Sequence, residues 1–248
     1  MCAGRLNAGS TGPRSRFGAQ ARLRALQDDI IELILERELE PGDPLPTEIE
    51  LAGVLDIGRN TLREALKVLQ AVGVIEIRHG FGTFVAASNF DALADGLTFR
   101  ARMSLRHRGQ EALELIDARR LLESGLIGAS MALMTADRLG ELEAAVLRME
   151  ALAGAGEHFV EADADFHRIL FKPLGNGLLL GLVDAFRTVY RRIQLELGGG
   201  GAVDPAAGAA LHRGVYEAVA AGDAVLAAER LGSHFDAMRR QVAAAVGE

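Results

Sequence analysis

Three histidines and one aspartate are the residues of this sequence best suited to chemistry. Asp163 and His167 are four positions apart, hence on one face of a helix, and that face also holds Phe166 and Leu170. His212 shares its face with Val215, Tyr216 and Val219, and His234 lies with Leu231 and Met238. Each polar group therefore points into an apolar interior, where an unsatisfied group costs on the order of 1 to 3 kcal/mol. One divalent cation would satisfy all four. A carboxylate and an imidazole one helical turn apart, plus one imidazole from each of two further helices, make a first-row metal site with room for water or ligand. A metal-free polar pocket, with each histidine hydrogen-bonded in the core, is the other reading of the same spacing. Cys2 is the only cysteine, so neither an internal disulfide nor a thiolate zinc site is available within these residues.

A second group lies near the amino terminus. Arg59, Asn60, Arg63 and Lys67 fall on one side of a predicted helix, with Thr61 beside them, and suit the bidentate and phosphate contacts of a recognition helix in the major groove. The elements that must position them are legible from apolar spacing. Leu23, Leu26, Ile30, Ile31, Leu33 and Ile34 predict a first helix over Ala19 to Glu38, stopped by Pro41-Gly42. Thr47 and Glu50 have the spacing of a capping box for a second helix running to about Leu55. After a tight turn at Asp56 to Gly58, Leu62, Ala65, Leu66 and Leu69 make one apolar stripe on a third helix, Arg59 to Val72. Val74 to Arg78 and Thr83 to Ala86 then read as a hairpin around His79-Gly80-Phe81-Gly82. Three helices and a hairpin, with a short turn between helices two and three, are the layout of a winged helix-turn-helix. His79 and Gly80 sit at the wing tip, where a small loop approaches a phosphate or the minor groove.

The stretches Leu45-Pro-Thr-Glu-Ile-Glu-Leu-Ala, Arg59-Asn-Thr-Leu-Arg-Glu-Ala-Leu and His79-Gly-Phe-Gly-Thr-Phe-Val85 resemble the DNA-binding domain of GntR-type regulators. The resemblance implies that Arg59, Thr61 and Arg63 contact operator DNA, helped by His79 and Gly80. One position departs from the pattern: Ile49 stands where family members usually carry an arginine that reaches DNA from helix two.

Beyond Ala87 the chain reads as amphipathic helices with short breaks and no convincing strand. Seven segments are predicted: Phe90 to Met103, Gln110 to Leu133, Ala136 to Leu152, Glu157 to Phe171, Gly177 to Leu197, Ala206 to Ala221 and Asp223 to Val246. Thr135 and Asp223 look like N-caps, and the glycines at 198 to 201 read as a loop without a function. Asp163-x-x-Phe166-His167, His212, and His234 beside Phe235 resemble the ligand-binding domain of the FadR subgroup, the FCD domain. Arg119-Arg-Leu-Leu-Glu123 and Gly175-Asn176 fit the same pattern. The resemblance implies that Asp163, His167, His212 and His234 bind zinc, nickel or manganese, and that a small organic or sugar acid docks onto the metal. Arg119 is a candidate partner for that acid, through its planar guanidinium.

The predicted fold is therefore mainly α, a winged helix-turn-helix followed by an all-helical bundle of six or seven helices. Residues 1–18 are expected to be a disordered tail, 19–87 the DNA-binding domain, 88–109 a linker and first helix, and 110–246 the effector domain. The length suits two domains, no apolar run is long enough for a membrane span, and the net charge of -7 argues against indiscriminate nucleic-acid binding. A cytoplasmic homodimer on a palindromic operator is expected, since one winged helix reads few base pairs. Two rival readings use the same residues: a regulator for which the metal is itself the signal, and a metal-dependent hydrolase.

Overall fold

The computed structural model describes residues 13–87, 90–197 and 204–247. The chain divides into two compact units, Met1–Ala92 and Leu93–Glu248.

In the first unit, α1 (Pro13–Glu36), α2 (Glu48–Val54) and α3 (Arg59–Ala71) precede an antiparallel hairpin, β1 (Ile75–Arg78) and β2 (Gly82–Val85). The expected first helix gains residues at its start. It is described from Pro13, ahead of the predicted Ala19. The capping box of α2 is present: the Thr47 N–H donates to Glu50 Oε2 at 2.8 Å, and the Glu50 N–H donates to Thr47 Oγ1 at 3.3 Å. One pairing was not expected. Residues 42–45 run along the hairpin edge, the Leu45 N–H donating to the Thr83 carbonyl and the Val85 N–H to the Asp43 carbonyl. The core joins Leu26, Ile30 and Leu33 of α1 to Leu62, Leu66 and Leu69 of α3, with Leu51 and Ile75 completing it. Fully burying such a side chain contributes about 1.5 to 3 kcal/mol. The stripe of α3 therefore fixes which of its faces is left to solvent.

The second unit contains, among the described residues, seven α-helices. They are α4 (Asp91–Leu105), α5 (Gln110–Met131), α6 (Ala136–Gly154), α7 (Val160–Phe171), α8 (Gly177–Glu196), α9 (Pro205–Ala220) and α10 (Ala224–Val246). Thr135, Asn176 and Asp223 cap their helices through side-chain oxygens. The start of α7 lies three residues beyond the predicted Glu157, because the Glu157 N–H donates back to the Leu152 carbonyl and closes α6. Residues 198–203, which include the glycine run, lie outside the described residues, as do 1–12 of the expected tail. α10 packs along α5 and α9, while α6 packs on α7 and α9 and α8 packs on α5 and α7. No helix among the described residues is long and apolar enough to cross a membrane.

Candidate metal centre and nucleic-acid surface

α7 presents Asp163 and His167 one turn apart, α9 adds His212 and α10 adds His234. Each residue offers one ligand atom, and these atoms all lie within 4.8 Å of one another. The three imidazoles are buried, and the Asp163 side chain is 21% exposed. His212 Nε2 lies 3.0 Å and His167 Nε2 3.9 Å from Asp163 Oδ1. The His212 and His234 ring centroids are 4.4 Å apart.

The outer nitrogens are held in place. His167 Nδ1 is 2.6 Å from Glu123 Oε2, and His212 Nδ1 is 2.9 Å from the Gly208 carbonyl. In the tautomer that donates Nδ1–H outward, each Nε2 presents a lone pair to the common centre, as metal-binding histidines are commonly held. His167 Nε2 and both nitrogens of His234 are buried without a hydrogen-bond partner, while His212 Nε2 faces Asp163 Oδ1 at 3.0 Å. Such atoms favour the metal reading of the spacing, since a core histidine retained for hydrogen bonding normally keeps its partners. Donors around one ion at about 2.0 to 2.2 Å lie at most roughly 4.4 Å apart, so slight closure of the four side chains makes a site. One aspartate and three imidazoles suit zinc, nickel or manganese.

Burial would raise the Asp163 carboxyl, but His212, His167 and Arg119 outweigh it and hold the group well below the usual carboxylate range. Burial, reinforced by His212 and His167, pushes His234 well below the ordinary histidine value, leaving its imidazole neutral. Behind His167, Arg119 Nε donates to Glu123 Oε1 at 2.5 Å, and both residues are almost wholly buried on α5. Burial opposes the charge on Glu123, yet Arg119 and His167 together keep its carboxyl lowered.

A cavity of about 160 Å³ opens onto Asp163, His212 and His234. Its far wall is α8, through Arg187, Tyr190, Arg191 and Gln194. Arg119 is not among the lining residues. Its Nη1 and Nη2 are buried without partners, and its guanidinium stacks 4.9 Å from the Phe235 ring centroid.

On the first unit, Arg59, Asn60, Thr61, Arg63 and Lys67 are all exposed on α3, opposite the buried stripe. Arg63 Nε pairs with Glu48 Oε2 and Lys67 Nζ with Glu64 Oε1, each at 2.8 Å. His79 and Gly80 occupy the exposed hairpin turn, where Gly80 has φ +81°. Ile49 is 65% exposed on α2, so an apolar side chain faces solvent where the resemblance places an arginine.

Residues 23–85 match bacterial regulatory proteins of the gntR family, and residues 114–237 match the FCD domain. The chain belongs to the GntR family and carries an FCD domain. It is 29% identical over 158 residues to the HTH-type transcriptional repressor NanR of Cronobacter sakazakii, covering 63% of this chain and 60% of that protein. It is 29% identical over 169 residues to the uncharacterized HTH-type transcriptional regulator YcbG of Bacillus subtilis, covering 68% of each. The chain thus spans about three fifths of the length of the Cronobacter relative. Among solved structures, Streptococcus agalactiae GntR superposes with a TM-score of 0.61 at 28% identity, over 88% of this chain and 99% of that one. The family and these relatives are regulators of transcription rather than enzymes.

For this FCD domain the structure brings the four predicted ligating residues together and sets Arg119 behind them. Sequence reasoning missed Glu123 as the partner of His167, although Glu123 falls on the same stripe of α5 as Ile116 and Ile127. It also missed the α8 wall. Arg187, Tyr190 or Arg191, and Gln194 recur at helical spacing, a pattern that a solvated face shows equally well.

Proposed function

We propose that this GntR-family chain is a repressor that binds a palindromic operator as a homodimer, with α3 in the major groove and the wing at the backbone. Arg59, Asn60, Thr61 and Arg63 are assigned to base and phosphate contacts near the start of α3, Lys67 to a phosphate, and His79 and Gly80 to the wing contact. Asp163, His167, His212 and His234 hold a divalent cation, and a small organic acid in the adjoining cavity occupies its open positions. The observation that carries this reading is the set of buried, unpartnered imidazole nitrogens at the cavity floor. A cation there supplies a docking charge for a carboxylate. Arg119 contributes through Glu123, which orients His167, and its two unpaired Nη groups are donors for an acid that penetrates beyond Tyr190. The acid changes operator affinity only in so far as it binds the two conformations of the dimer unequally.

The test is a thermal-shift screen of the full chain with zinc, nickel or manganese against small organic and sugar acids, followed by operator binding with each hit. A ligand that binds only the folded state must raise its melting temperature. A stabilising acid that requires metal, loses its effect in His212→Ala and releases DNA supports the reading. Stabilisation by metal alone, with operator affinity following metal occupancy and no acid active, replaces it with a metal-sensing regulator.

A further inference from the structure

The α8 wall of the cavity, beside the candidate metal cluster, constrains what the effector is. Arg187 is on α8 and lines the cavity with its side chain only 19% exposed. It pairs with Asp184 of the same helix, with Nε 3.4 Å from Oδ1. A charge-assisted pair normally closes to about 2.7 to 2.9 Å, so this guanidinium is largely removed from water without a close counter-ion. Arg191, one turn further along, is 49% exposed, and its Nη1 lies 3.8 Å from Glu161 Oε1. Between them Tyr190 is joined to Gln194 and Gln241 by side-chain hydrogen bonds. The cavity lining therefore combines Asp163, His212 and His234 of the candidate metal cluster with an arginine that has only a long contact to its counter-ion.

We infer that the effector is a small acid with two anionic groups, one directed to the metal-ligating cluster and the other paired with Arg187. This rests on the reading of the cavity as the effector site. The volume is roughly ten times the void that admits one water, which suits a dicarboxylate of a few carbons and not a nucleotide or peptide. A monocarboxylate or a neutral-ended sugar acid fills the metal end and leaves Arg187 unanswered. The planar fork of arginine recognises a second carboxylate bidentately, and the Tyr190, Gln194 and Gln241 cluster offers hydrogen bonds to a hydroxyl on the connecting carbons.

The experiment is calorimetric titration of the zinc-loaded full chain with matched pairs, succinate against butyrate and malate against 3-hydroxybutyrate. It is repeated on Arg187→Met, Arg187→Lys and the chelated wild type, with melting curves confirming that each variant is folded. The expected result is at least tenfold tighter binding of each dicarboxylate, a preference erased in Arg187→Met and partly kept in Arg187→Lys. Equal affinity within each pair, or a preference that survives Arg187→Met, overturns the inference and leaves the metal-dependent effector site standing. A preference that depends on Arg187 but persists unchanged after chelation supports the anionic subsite and removes the metal from the reading. Failure of every acid to bind overturns both.

Discussion

Arg63 and Lys67 of the first unit meet Glu48 and Glu64 at the surface, whereas Arg119, Glu123 and His167 of the second meet in the interior. The chemistry is similar and the consequences are opposite. An exposed ion pair is screened, contributes little to folding and exchanges readily for a phosphate or a base edge. A buried pair has given up its hydration, so each partner depends on the other and on the packing around both. Recognition of a long polyanion suits the first arrangement, and a fixed ligand geometry suits the second.

This contrast is broken most directly at Glu123. Glu123→Ala leaves Arg119 charged and unpaired inside the bundle, with an expected loss of about 3 to 5 kcal/mol of stability in denaturant unfolding of the metal-free chain. An unchanged midpoint would show that Arg119 reaches water. The same pair sets an acid response. Because the Glu123 carboxyl is held below its ordinary range, the unfolded chain takes up the proton first on acidification. Its contribution is complete above about pH 4.3 and is lost as the pH falls through the folded value, so Glu123→Gln should flatten this part of the acid-unfolding profile.

The double variant Arg119→Met with Glu123→Leu sharpens the comparison by removing both charges together. Its stability is expected to return close to that of the parent, while metal affinity, measured against a competing chelator, falls by about 10- to 100-fold because His167 loses its orienting partner. Stability and ligation separate in this variant alone.

At the surface the order of effects reverses. Arg63→Ala is expected to cost operator affinity about 1 to 3 kcal/mol and, if the contact is to a phosphate, to lower the salt slope by about one. Its melting curve should stay within roughly 0.5 kcal/mol of the parent. The smallest effect is assigned to Thr47→Ala. Loss of the α2 cap should cost about 1 kcal/mol of folding stability, with operator affinity changing only as far as α2 shifts against α3.

The same contrast explains what could be read from the sequence. The recognition helix was legible because its exposed residues alternate with the fixed stripe Leu62, Ala65, Leu66 and Leu69, and because the wing glycines mark their turn. The clustered quartet of Asp163, His167, His212 and His234 was legible because a polar residue on an apolar face stands out. Arg119 and Glu123 did not stand out in the same way, since an arginine four residues before a glutamate is also what a solvated helix surface carries. Only the packing of α5 beneath α8 and α10 shows that this pair faces inward. The α8 wall was hidden for a related reason. Its polar residues acquire meaning from a cavity formed with α9 and α10, which no window of sequence contains.

α8 has a second attachment. While Arg187, Tyr190 and Gln194 line the cavity, Arg192 on the adjoining side reaches Asp95 and Thr98 of α4, and Glu196 receives Arg102 at 2.9 Å. One rigid rod therefore touches the ligand chamber along one edge and, along another, the helix that opens the second unit. The residues that line the chamber and those that hold α4 share one helix, so α8 cannot turn about its axis without moving both sets of contacts.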